Sequence, residues 1–135
     1  MSDPTPFEQL LSAARAQPDP QVLLFVFARA ELPPDATAEQ RARFEAGVGG
    51  ELTPLMCVEK SLDELTTFDA LVAESRDVGP PWTVVFAAGL GGRDGAPPAP
   101  RAVEGALTTM VERVRSGAVD AFLALSAKGE TMHFV

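Results

Sequence analysis

Seven consecutive residues, Val22-Leu23-Leu24-Phe25-Val26-Phe27-Ala28, carry no polar side chain. The run is too short for a membrane-spanning helix, which needs about 20 apolar residues. It is rich in β-branched and aromatic residues and apolar at both odd and even positions, so a strand built from it has two apolar faces. Such a strand belongs in the middle of a sheet covered on both sides. The rest of the chain has to supply neighbouring strands and two layers of cover.

Candidate neighbours are Leu55-Met56-Cys57-Val58, Val84-Val85-Phe86 and Val119 to Ser126. A final segment from Thr131 to Val135 is expected to pair back through a turn at Lys128-Gly129. Helices are expected between these strands. Thr5 and Glu8 with Pro6, Thr37 with Gln40, and Ser61 with Glu64 each have the spacing of a capping box. Thr67 is an alternative start for the third helix. Val103, Ala106, Leu107, Met110, Val111 and Val114 form the best apolar stripe at helical spacing, with Gly117 at its end. The order αβαβαβαββ predicts an α/β fold, with α+β as the alternative. It is a single domain spanning residues 1–135, with a mixed sheet of about five strands, about four helices and a C-terminal β-hairpin. Whether the first two strands run parallel stays open, because the helix between them is short and its apolar face weak.

A chain of 135 residues with 46% hydrophobic content builds one core without disulfides or metal. The net charge of −8 and the scattering of nine Arg and two Lys argue against a nucleic-acid partner, which requires a basic stripe. Cys57 is the one cysteine and His133 the one histidine, so an internal disulfide is excluded and a zinc site of the usual Cys/His kind is not expected. The start of the chain lacks the pattern of a signal peptide, which makes the cytoplasm the expected location. No cofactor and no membrane partner are expected.

Three sets of residues are candidates for function. Gly89, Gly91, Gly92 and Arg93 lie in a Gly-rich segment, Gly89 to Gly95, that follows a predicted strand. Backbone N–H groups of such a loop can hold an anion. However, Asp94 occupies the third glycine position of the dinucleotide fingerprint, and no Walker lysine is present. Glu59 and Lys60, at the end of the second strand, are candidates to share a ligand site with that loop. Cys57 and His133 form a nucleophile–base pair if the sheet places them side by side; otherwise Cys57 is a small buried hydrophobe. Trp82, beside Pro81 at a strand entrance, is the aromatic expected at a rim or interface.

Leu23 to Ala28, Glu31-Leu32-Pro33, Ala38 to Gly47, Gly49-Gly50 and Leu55 to Val58 together resemble a family of small proteobacterial proteins. Its members often carry the description "ribonucleotide reductase subunit alpha". The resemblance covers most of the chain and implies a bacterial protein, but the family offers no established site to carry over. A single cysteine cannot supply the cysteine pair and radical site of ribonucleotide reduction. The residues fit a noncatalytic binding or protein-interaction module best, as a homodimer or with another protein partner. The alternative is a small-molecule-binding enzyme or sensor using Gly89 to Gly95.

Overall fold

The computed structural model describes residues 3–32, 34–45 and 51–133. The chain opens with α1 (Pro6–Arg15), whose capping box forms as expected. The Glu8 N–H donates to Thr5 Oγ1 (3.1 Å) and the Thr5 N–H donates to Glu8 Oε1 (3.2 Å). β1 (Gln21–Glu31) follows, buried from Leu23 to Ala28. Then come α2 (Ala38–Glu45), β2 (Glu51–Ser61), α3 (Phe68–Val78), β3 (Val84–Gly91), α4 (Pro100–Ser116) and β4 (Leu123–Leu125).

The sheet order is β2-β1-β3-β4, with the all-apolar strand between two neighbours. All three pairings are antiparallel, where a mixed sheet was expected. The physical reason lies in α2. A parallel neighbour needs a crossover helix packed on the sheet, and α2 buries none of its residues. The chain instead makes an excursion and returns beside β1 in the opposite direction. A bulge interrupts that pairing: Phe27 faces Met56 and Ala28 faces Pro54, which leaves Leu55 as the extra residue.

Alternation along the strands sorts the core into two layers. Leu23, Phe25, Phe27, Val85, Ala87 and Leu125 meet α1 and α3 on one face. Leu24, Val26, Ala28, Val84, Phe86 and Ala124 meet α4 on the other. The stripe on α4 is the one the spacing predicts, and the helix ends at Gly117 in the left-handed region (φ 81°), where the Ala118 N–H reaches the Arg113 carbonyl (2.9 Å).

The strand count is four rather than five. The turn at Lys128-Gly129 forms, with Gly129 at φ 81° and its N–H on the Ser126 carbonyl (2.9 Å). The return arm pairs through one bridge, Leu125 to Thr131, and through the Met132 N–H on the Ala124 carbonyl (2.9 Å). Phe134 and Val135, part of the expected last strand, lie outside the described residues.

Ser61 and Glu64 form half of a capping box. The Ser61 N–H donates to Glu64 Oε1 (2.9 Å), but the Glu64 N–H goes to the Ser61 carbonyl (3.1 Å) instead of the hydroxyl. The pair closes a turn after β2, and the helix starts six residues later on Thr67, whose Oγ1 accepts from the Ala70 N–H (3.1 Å). The Ser61 N–H holds the Glu64 carboxyl below its usual range, helped by the Ser61 side chain and Lys60 against slight desolvation. A carboxylate with a lowered folded-state pKa stabilises the fold above its unfolded-state pKa, about 4.3, and loses that contribution as pH falls through the folded value. Melting curves of the wild type and Glu64→Gln are therefore expected to differ at pH 7 and to converge in acid. A difference that grows below pH 4 would contradict the sign.

Candidate interaction groove

The Gly-rich segment is a hairpin. β3 runs to Gly91, Arg93 bridges Ala96, and Asp94 (φ 51°) with Gly95 (φ 80°) makes the two-residue turn. Positive φ at both central positions is the type I′ arrangement that suits the twist of paired strands. Four of its N–H groups are engaged within the fold. Gly92 donates to the Pro20 carbonyl (2.9 Å), Arg93 to the Ala96 carbonyl (3.1 Å), and Ala96 to the Arg93 carbonyl (2.9 Å). Gly95 donates to Asp19 Oδ1 (2.9 Å). Gly92 is small because a Cβ there would collide with the Ala96 carbonyl, and one at Gly91 would meet Gln21 Nε2 at 2.7 Å. These amides are aimed at protein acceptors, not at a common point in solvent.

Register places Lys60, Leu23 and Gly89 in one row across the sheet, so the expected neighbours share a sheet end. Consecutive strand residues point to opposite faces, however, so Glu59 and Lys60 cannot converge on one ligand. Lys60 Nζ pairs with Glu74 Oε1 on α3 at 2.7 Å, and Glu59 is exposed on the α4 side. A shallow bowl of ≈ 460 Å³ at this end is lined by Arg15, Asp19, Gln21, Asp63 and Gly95 among others.

Cys57 and His133 do not meet. Cys57 is on β2, at one edge of the sheet, and His133 follows the bridge beyond β4 at the other. Three strand spacings of about 4.8 Å put at least about 14 Å between them. Nor is the thiol buried: β2 is an edge strand, and Cys57 is exposed on it. Trp82 is corrected in the opposite sense. It is 8% exposed, with its ring edge-on to Phe27 at 5.0 Å between centroids. Its Nε1–H donates to Ser75 Oγ (2.8 Å), and the Ser75 hydroxyl donates to the Val72 carbonyl (2.6 Å). With that one donor satisfied on α3, the indole belongs to the core.

The site that sequence reasoning missed lies on the α4 face. Strands spaced about 4.8 Å apart make a four-stranded face wide enough for two helices of about 10 Å diameter. The opposite face has two, α1 and α3; among the described residues this face has α4 alone, packed toward β1 and β2. Val119, Phe122 and Met132 pack into the same layer and keep Val84, Phe86 and Ala124 buried, and an open groove of ≈ 320 Å³ remains between α4 and residues 88–90 at the end of β3. Half-buried Ala88, Leu90, Ala106 and Phe122 line it above the buried Leu24 and Met110, and exposed Thr109 and Arg113 stand at its rim. Gly105 also lines it, and a Cβ there would meet nothing within 4 Å. Glycine inside a helix costs about 1 kcal/mol relative to alanine, and no contact within this chain explains it. A glycine interrupting the best amphipathic helix was the sequence signal available.

A second cleft, of ≈ 440 Å³, lies where α1 and α3 begin, with Phe7, Leu11 and Phe68 inside and Glu8, Asp69 and Lys128 around it. The Phe7 and Phe68 rings are 5.3 Å apart. Thr5 and Thr67 already cap these helix starts, and the carboxylates of Glu8 and Asp69 offset their positive ends.

Among the described residues no helix is long and apolar enough to cross a membrane. Comparison with protein-family models, with curated proteins and with solved structures finds no match to this chain.

Proposed function

We propose that the chain is a noncatalytic, cytoplasmic protein-interaction module whose α4 groove accepts the apolar face of a partner's helix. The groove itself carries the reading: an open recess, mainly apolar, between α4 and residues 88–90 at the end of β3. A helix laid there would cover Leu90, Ala106 and Phe122, the helix-in-groove mode of recognition. Gly105 lets a second backbone approach α4 closely, and Arg113 offers the rim a cation for an acidic residue flanking the partner's apolar face. Binding is favoured over chemistry because the groups that chemistry would use are separated or engaged. Cys57 and His133 are on opposite edges, Lys60 is paired with Glu74, and the Gly92, Arg93, Gly95 and Ala96 amides donate to acceptors within the chain. A free, exposed thiol suits a reducing compartment.

Gly105→Leu tests this reading. Replacing glycine in a helix interior is expected to raise stability by about 0.8 kcal/mol, since nothing in the chain obstructs the new side chain. The same side chain fills the groove, so native mass spectrometry of protein purified from its host should show less retained partner. Loss of stability would mean that Gly105 serves the fold, and would remove the argument for a closely approaching helix.

A further inference from the structure

We infer that a second copy of this chain pairs with the first along β2. Of the two sheet edges, β4 is three residues long and its outer side receives the return arm at Thr131 and Met132. β2 is eleven residues long, and among the described residues no strand pairs with its outer edge. A row of unpaired backbone groups of that length is a template for strand addition. One open edge and one occupied edge limit the assembly: pairing through β2 consumes it, so growth stops at a two-fold dimer and not at a fibre.

The register follows from the strand itself. Pro54 and the bulge at Leu55 break the regular edge, which leaves Leu55 to Ser61 for pairing. A two-fold axis through the middle of that segment puts Val58 opposite its own counterpart. Met56 then faces Lys60 of the second copy, and Cys57 faces Glu59 of the second copy. Facing residues share a sheet face, as a ladder requires: Cys57 and Glu59 are both exposed on the α4 side, and Met56, Val58 and Lys60 are half-buried on the other. No carboxylate faces a carboxylate in this register, and the Lys60 charge is already offset by Glu74. The two Cys57 residues become diagonal neighbours, about 7–8 Å apart. The edge is separate from the α4 groove, so either surface can fail its test without the other.

The test is sedimentation equilibrium on the whole chain and its variants. The wild type is expected to dimerise, with Cys57 joined to Cys57 of the second copy by a short bis-maleimide. Cys57→Glu sets a carboxylate opposite Glu59 twice in the dimer and is expected to weaken it about tenfold. Adding Glu59→Lys restores an attractive pair and the dimer with it. Cys57 and Glu59 are exposed, so the melting temperature of each variant should stay that of the wild-type monomer. A wild type that remains monomeric at all concentrations, or a dimer whose affinity Cys57→Glu leaves unchanged, would overturn the inference.

Discussion

Trp82→Ala is expected to remove about 3–5 kcal/mol of stability, the usual loss for a large aromatic side chain in a core. A domain of this kind has about 5–15 kcal/mol in total, so the variant sits near the limit of folding. The indole fills the space between α3 and β1, edge-on to Phe27, and its one polar group is satisfied by Ser75. Trp82→Phe keeps most of the ring contact and loses the hydrogen bond. It should fall between the two, because Ser75 still donates to Val72 and is not left unpaired. Urea unfolding followed by circular dichroism measures this. A loss below 1 kcal/mol for Trp82→Ala would return Trp82 to the rim position its sequence context suggests.

Gly92→Val should be the second most damaging change, at about 1–3 kcal/mol or more, the range for forcing atoms into occupied space. The Cβ would collide with the Ala96 carbonyl, a backbone atom that cannot rotate away. The hairpin closed by Arg93 and Ala96 then has to open, releasing the Gly92 bond to Pro20 and, with it, the Gly95 bond to Asp19. Gly95→Ala is the control. Its Cβ meets nothing within 4 Å, but its φ of 80° penalises any side chain, by about 1–2 kcal/mol. Hydrogen exchange at residues 92–96 separates the two. Gly92→Val should expose the hairpin amides and Gly95→Ala should leave them protected. Equal protection in both variants would mean that the glycines were not selected by hairpin geometry.

Much of the fold is legible from neighbours in sequence. The apolar run from Val22 to Ala28 announces the middle strand, and the spacing from Val103 to Val114 announces α4 and its buried face. The boxes at Thr5 and Thr37 start helices because capping involves groups three residues apart. What was not legible depends on distant groups. Strand direction was hidden because α2 has the pattern of a helix without an apolar face to dock. Trp82 reads as a rim residue beside Pro81 until Ser75, seven residues back, is seen to take its N–H. Cys57 reads as buried among Met56 and Val58 until β2 proves to be an edge, where one side of the strand faces solvent. The glycines of the hairpin invite a phosphate until the Gly92 and Gly95 amides are traced to Pro20 and Asp19. The groove is the hardest case, since it arises from the number of helices over one sheet face and is not a property of any segment. Its local trace is Gly105, which interrupts the best amphipathic helix and is unexplained by the chain's own packing.

The claim that the α4 groove receives a partner is tested most directly by a photo-crosslinking amino acid at Thr109, on the groove rim, in cells that naturally make this protein. Irradiation should yield one adduct of defined mass from position 109. The same group at Ser12, on the exposed side of α1, should not yield it. No adduct from position 109, or the same adducts from both positions, would contradict the account.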